Sequence, residues 1–304
     1  MAPLAVIDLG TNTFHLLIVD PVAGGGFRER LRLRKFVKLA EEGIGYIGPA
    51  PFRRALDTLK EFRQLLDEYG VREVRAFGTA ALRTASNGEA LVAQGREATG
   101  IPILLISGDE EARLIHQGVA LAVPLHARPD LIMDIGGGSV EFIIANRKQV
   151  LWTQSFSLGV AVLTQRFHQS DPIAPKEVQH LQAFLKEELG PLYEALKRFP
   201  CHRLIGSSGT FDVLENILAD PRTHTLYATI PVRRFFPLHK KVLKSTLQER
   251  LEMENIPPSR AGMMVAAFVL LEYLLDISAV HTILISSYAM KEGMLDRMLT
   301  AEAS

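Results

Sequence analysis

The sequence predicts an α/β protein built as two similar domains. Two observations carry that expectation. A buried strand ending in Asp8 runs into a short polar loop and two further strands, and the same order restarts at Asp134. Each restart is followed by alternating extended and helical segments, the signature of α/β units. At 304 residues the chain also exceeds the ~100–200 usual for one domain. The break is expected near Val123–Pro129. That gives domains over 1–124 and 125–287, with a closing helix over 288–304 packing back on the first.

The elements follow in order. Leu4–Leu9 is an apolar strand, Phe14–Asp20 a second and Phe27–Leu39 a third, with Gly24-Gly25-Gly26 as a turn, so the chain begins as an antiparallel meander. Pro51 opens a helix to Tyr69, because Leu56, Leu59, Phe62, Leu65, Leu66 and Tyr69 recur at helical spacing, and Gly70 closes it. A strand at Glu73–Gly78, a helix at Ser86–Thr99, a buried strand at Ile101–Ile106 and a helix from Gly108 to about Val123 complete the first half.

The second half gives strands at Leu131–Ile135, Val140–Ala145 and Val150–Phe156, then one long amphipathic helix over Pro175–Arg198. Leu204–Ile205 leads into Gly206-Ser207-Ser208-Gly209-Thr210 and a helix to Leu218. Asp220–Arg234 lacks periodicity and reads as a loop, with Ala228–Phe235 an alternative edge strand. A helix at Pro258–Leu275, a strand at Thr282–Ser286 and a helix at Met290–Met298 end the chain.

Composition excludes several classes. Lys plus Arg and Asp plus Glu are 34 each, so a general nucleic-acid or membrane-surface binder is not expected and any polyanion site must be local. The lone Cys201 excludes an internal disulfide and fits a cytoplasmic location. The N-terminus has no basic leader, and the longest apolar run, Met263–Leu271, is far below the ~20 residues that span a bilayer. No Walker A loop, dinucleotide fingerprint, zinc-spaced Cys/His set or nucleophile elbow occurs.

The chemistry is expected at the two strand ends. Asp8-Leu9-Gly10-Thr11-Asn12-Thr13 and Asp134-Ile135-Gly136-Gly137-Gly138-Ser139 share one logic. Glycines let backbone N–H groups turn toward an anion, hydroxyls and amides add donors, and the aspartate offers oxygens to a hard cation. One such turn alone is an ordinary hairpin. Two at corresponding positions predict a pair of phosphate cradles across a cleft. Glu141 follows Asp134 by one tight turn and alternates with Val140, Phe142 and Ile144. It reads as a magnesium ligand, direct or through water, or as a solvent-facing strand carboxylate.

Ser107-Gly108-Asp109-Glu110-Glu111 opens a helix at the carboxyl end of a strand, where α/β proteins bind ligands. Adjacent glutamates diverge by ~100° on a helix. Glu111 shares the face of Leu114, Ile115 and Gly118, whereas Glu110 turns toward Arg113 and Gln117. Glu111 is therefore the candidate general base, whose apolar surroundings would favour a raised pKa. Glu110 fits the bland role of offsetting the helix dipole. Gly206-Ser207-Ser208-Gly209-Thr210 reads either as a third anion cradle or as a plain strand-to-helix turn capped by Thr210. Arg83 lies past a strand end, within reach of the cleft. Arg28, Arg30, Arg32 and Arg34 alternate along one strand and read as solvated edge charge, with a polyanion track as the alternative. His15 reads as a structural histidine.

Six segments, IDLGTNTFHLLI, GTAALRTASN, ISGDEEARLIHQGV, MDIGGGSVEFII, IGSSGTF and YAMKEGML, resemble in order and spacing the exopolyphosphatase and guanosine pentaphosphate phosphohydrolase (Ppx/GppA) family. They run from residue 5 to residue 295. The resemblance implies a duplicated actin-like (RNase H-type, ASKHA) fold. It implies Glu111 as catalytic base, Asp134 and Glu141 attending Mg²⁺, and Arg83 on the anion, while Asp8 is a further metal-ligand candidate from its own place at the first strand end. It implies phosphate binding by Gly10, Thr11, Asn12, Thr13, Gly136, Gly137, Gly138 and Ser139. The substrate would be inorganic polyphosphate or guanosine pentaphosphate, and a homodimer is compatible with the family. Longer members carry an additional C-terminal helical domain that these 304 residues do not contain, Lys291 stands where many have Arg, and Arg260-Ala261-Gly262 lacks an Asp often found there. Two rival readings are an ATP-dependent kinase of the same fold and a non-catalytic sensor of guanosine tetra- or pentaphosphate.

Overall fold

The structure is a computed structural model that describes residues 2–23, 26–220 and 224–302. Gly24 and Gly25 of the expected turn, and residues 221–223, lie outside the described residues. The chain divides into unit 1, Met1–Gly118 with Met290–Ser304, and unit 2, Val119–Ala289.

Unit 1 begins with β1 (Leu4–Leu9), β2 (Thr13–Pro21) and β3 (Phe27–Phe36), paired antiparallel as a meander. Helix α1 (Pro49–Glu68) starts two residues before the expected Pro51, because Pro49 and Pro51 both fit a first turn whose N–H groups have no helical partner. It ends where Gly70 takes the left-handed φ of 65°, a cheap stop only for glycine. Then come β4 (Glu73–Gly78), α2 (Ala80–Thr84), α3 (Gly88–Thr99), β5 (Ile103–Leu105) and α4 (Gly108–Ala122).

Helix α3 begins at Gly88 rather than Ser86, after the short α2 that the sequence pattern did not suggest. Strand β5 corrects the expected buried strand. It is a three-residue edge with Leu104 at 59% exposure, and the buried Ile101 and Ile106 lie outside it. The sheet order is β3-β2-β1-β4-β5. One face, with Ala5, Ile7, Leu9, Phe14, Leu16 and Ile18, packs on Leu59, Phe62 and Leu66 of α1 and Leu91 of α3.

A bulge at Ile18/Val19 changes the face parity of β3. Arg32 and Arg34 pair with Leu17 and His15, while Arg28 pairs with Asp20 on the other side of the bulge. The four arginines therefore do not form one continuous stripe.

Unit 2 repeats the plan with β6 (Asp130–Ile135), β7 (Val140–Ala145) and β8 (Val150–Phe156), again antiparallel. Helix α5 (Val160–Phe167) was not expected. The expected single helix over Pro175–Arg198 is two, α6 (Pro175–Glu188) and α7 (Gly190–Arg198), broken where Pro191 cannot continue the ladder. Next are β9 (Arg203–Ser207), α8 (Gly209–Leu218) and β10 (Tyr227–Pro231). A 3-10 turn at Val232–Arg234 leads into α9 (Phe235–Lys244) and α10 (Leu247–Glu252). The helix expected over Pro258–Leu275 splits at Gly262-Met263 into α11 (Pro258–Ala261) and α12 (Met264–Ile277), which is followed by β11 (Thr282–Ser286).

The sheet order is β10-β11-β9-β6-β7-β8, with β6, β9 and β11 parallel. Apart from the extra edge strand β10, this repeats the 3-2-1-4-5 order of the first sheet. The fold is thus the duplicated, actin-like α/β plan. The chain returns to unit 1 with α13 (Met290–Glu302), which packs on β1. Gly293 lets it approach α4 closely, since a Cβ there would stand 2.0 Å from the Leu114 carbonyl oxygen. Among the described residues no helix is long and apolar enough to cross a membrane.

Candidate functional site

In unit 1 the β1–β2 turn is fixed by its own backbone. Gly10 donates to the Thr13 carbonyl at 3.1 Å, and a Cβ on Gly10 would come within 2.9 Å of that oxygen. The Asn12 carbonyl accepts from Val37 and Lys38, and the Thr11 carbonyl from Leu39. Thr11, Asn12 and Thr13 are all buried. Asp8 lies opposite His15 in the β1–β2 register, and Nε2 of His15 is 3.0 Å from Oγ1 of Thr13. The histidine read as structural thus holds a loop hydroxyl.

Glu111 sits in the first turn of α4, 8% exposed, beside the buried Ala112, Leu114 and Ile115. Arg83, in the last turn of α2, donates from Nη1 to Oε2 of Glu111 at 3.2 Å and to the Ile106 carbonyl at 2.7 Å. Glu110 turns away as its helix position requires. It pairs with Arg297 of α13 and lies 3.7 Å from Arg113.

In unit 2, four polar side chains lie in one cross-strand row. Ser207 of β9, Asp134 of β6, Glu141 of β7 and Ser155 of β8 are successive register partners. Oγ of Ser207 donates to Oδ2 of Asp134 at 2.6 Å, and Oγ of Ser155 to Oε1 of Glu141 at 2.7 Å. Oγ of Ser208 donates to Oδ1 of Asp134 at 2.6 Å. Asp134 is 6% exposed and Glu141 1%. Charge-assisted bonds of this kind are stronger than neutral ones and fix carboxylate orientation.

Ser208 has φ 73° and ψ 175°, a region almost confined to glycine. It stands at the N-cap of α8, yet its hydroxyl serves Asp134 rather than the helix. Thr210 lies inside α8 and is not its cap.

The β6–β7 loop copies the β1–β2 loop. Gly136 donates to the Ser139 carbonyl at 3.0 Å, and a Cβ on Gly136 would meet that oxygen at 2.9 Å. Asp8 with His15 and Asp134 with Glu141 occupy equivalent register positions. Residues 159–161, which the sequence did not single out, anchor this loop. Gly159 donates to Gly138, Val160 to Gly136 and Ala161 to Gly137 at 3.2, 3.0 and 2.9 Å. A Cβ on Gly159 would lie 2.4 Å from the Gly137 carbonyl. The clue in the sequence was Gly159 just ahead of an apolar helical run.

A model of the Ppx/GppA phosphatase family matches residues 18–302. The chain belongs to the Ppx/GppA phosphatase family. The match begins after the β1–β2 loop and takes in Arg83, Glu111, Asp134 and Glu141. The chain is similar to an exopolyphosphatase from Cytophaga hutchinsonii, at 39% identity over 98% of each chain with a TM-score of 0.93. It shares its fold with the Aquifex aeolicus family member, at 22% identity over 100% of this chain and 99% of that one, with a TM-score of 0.82.

Among the described residues no group of three or more His, Cys, Asp and Glu gathers as a metal site. A Ppx/GppA phosphatase handling phosphate does not require one for Mg²⁺, which is commonly held by one or two carboxylates plus waters and phosphate oxygens. Asp134 and Glu141 fit that donor set. They are direct cross-strand partners, with Cα atoms about 4.5–5.5 Å apart by strand geometry, so two buried carboxyl groups stand side by side. A divalent cation would offset the charge of the ionised pair.

Proposed function

We propose that this chain is a Mg²⁺-dependent exopolyphosphatase, releasing terminal orthophosphate from inorganic polyphosphate. The observation that carries the reading is Glu111: a nearly buried carboxylate at the start of α4, held in one orientation by Arg83. Similarity to an exopolyphosphatase at 39% identity over 98% of the chain supports polyphosphate as the substrate.

In this reading Glu111 accepts a proton from water as the water oxygen attacks the terminal phosphorus. The bridging P–O bond breaks, and the electron pair leaves with the shortened chain. Arg83 orients Glu111 and offers its remaining N–H donors to phosphate oxygens. Backbone N–H groups of the Gly10–Thr13 and Gly136–Ser139 loops, with Thr210 and the Gly206–Gly209 turn, bind phosphates. Asp134 and Glu141 would hold Mg²⁺, and Asp8, in the equivalent register position of unit 1, is the further candidate ligand. Once bound, the ion offsets negative charge on phosphoryl and leaving-group oxygens.

The test is a phosphate-release assay with short polyphosphate, long polyphosphate and guanosine pentaphosphate side by side, with and without Mg²⁺. Mg²⁺-dependent release from polyphosphate supports the proposal. Release from the nucleotide alone moves the substrate to guanosine pentaphosphate. Transfer to a sugar or small alcohol instead of water makes the chain a kinase, and tight nucleotide binding without release makes it a sensor.

A further inference from the structure

From Pro221 to Gln248 the sequence holds six Lys and Arg residues and no Asp or Glu, in a chain whose charges balance only when this segment is included. The structure sorts these cations. Arg234 is occupied, donating to the Leu218 carbonyl and pairing with Asp220 at 2.9 Å. Arg233, Lys240, Lys241 and Lys244 are exposed, and among the described residues none of them takes part in an ion pair. The next acid along the chain, Glu249, is engaged by the backbone and hydroxyl of Thr246 in a capping box.

Helix α9 is one-sided. Phe235, Leu238, His239 and Val242 are buried. At ~100° per residue, Lys240, Lys241 and Lys244 fall within an arc of about 100° on the opposite side. Lys240 and Lys244 are separated by about 6 Å along the axis, one above the other. By contrast, Arg28, Arg32, Arg54, Arg83, Arg203 and Arg297 all face a carboxylate. Like charges left stacked on one helix face cost stability unless a partner offsets them.

We propose that the exposed face of α9, with Arg233 ahead of it, is a docking surface for a linear phosphate polyanion. The proposal rests on the polyphosphate reading above and adds to it an attachment site for long chains. A row of point charges with no counter-ions of its own suits a repeating anion. Lysine ammonium groups bind phosphate as point charges and impose no demand on base or sugar. Binding would release condensed counterions and would therefore weaken steeply with salt.

The test measures binding rather than turnover. Fluorescence anisotropy with end-labelled long-chain polyphosphate compares the wild type, Lys240→Gln/Lys244→Gln, and the control pair Arg147→Gln/Lys148→Gln, which removes equal charge from another exposed part of unit 2. The α9 pair should raise Kd about fivefold or more at low salt and flatten the plot of log Kd against log salt by about 1.4. The control should change neither. KM for tripolyphosphate, too short to span the row, should be unaltered in both.

Equal binding by the α9 pair and the wild type would overturn the proposal, as would an equal loss in the control. So would tighter α9-dependent binding of single-stranded RNA of the same charge, which would make the surface a nucleic-acid site. Failure of the wild type to hydrolyse polyphosphate would remove the functional reading while leaving the binding result to be read by itself.

Discussion

Arg83 donates one Nη1 to Oε2 of Glu111 at 3.2 Å and to the Ile106 carbonyl at 2.7 Å, so the arginine that could bind phosphate also sets the direction of the acid. Lysine preserves the charge and loses the planar guanidinium that holds Nη1 between both acceptors. Arg83→Lys should lower kcat about tenfold, and Arg83→Gln about a hundredfold, through misplacement of the base. Steady-state phosphate release checks this. Wild-type kcat in Arg83→Lys with only KM raised would confine the arginine to substrate binding.

The Asp134–Glu141 pair makes a prediction about metal. Removing divalent ions with a chelator should abolish phosphate release, and Mg²⁺ should restore it. Glu141→Gln keeps an acceptor for Ser155 while removing one charge from the pair. Its half-saturating Mg²⁺ should rise about tenfold or more, as expected when a group that holds or orients a metal is lost. Titration of activity against Mg²⁺ measures it, and an unshifted curve would take Glu141 out of the metal site.

Gly159 tests whether the loop's shape matters beyond its sequence. The Cβ of Gly159→Ala would stand 2.4 Å from the Gly137 carbonyl, and backbone cannot yield as a flexible side-chain tip can. Overpacking of this kind costs ~1–3 kcal/mol. The variant should fold with a lowered Tm and lose activity at least tenfold, because the Gly136–Ser139 loop must move. Full activity with an unchanged Tm would show that the contact is not needed.

Stability should depend on pH through histidines. Burial pushes His239 down to about 4 and lowers His116 and His168. Between pH ~6.5 and ~4 the unfolded chain then binds more protons than the folded one, so stability falls as pH falls. Glu272, raised by burial, acts the other way at the lower end of that window. Urea midpoints should drop from pH 7 to pH 5, and His239→Leu should flatten the slope. A midpoint rising toward pH 5 would contradict the assignment.

Much of this was legible in the sequence because it rests on local rules. The meanders, the two glycine loops and the divergence of Glu110 from Glu111 follow from strand alternation and helical spacing. The misses share a cause: contacts distant in sequence decided them. Gly190-Pro191 split a pattern that amphipathicity ran together. Helix α9 was hidden because two prolines and a basic run blurred its apolar face, although Phe235, Leu238 and Val242 are buried at helical spacing. The bulge that breaks the arginine stripe leaves no mark on β3 alone, since it is a property of the β2–β3 pairing. Nor could spacing show that Ser207 and Ser155 flank Asp134 and Glu141, which required the register of four strands.

The most direct measurement is single-turnover phosphate release from short polyphosphate by Glu111→Gln beside the wild type, at saturating Mg²⁺. If Glu111 is the base, the rate should fall by about 10²–10⁴ while substrate binding and Tm stay close to wild type. A variant keeping more than a tenth of the wild-type rate would contradict the account.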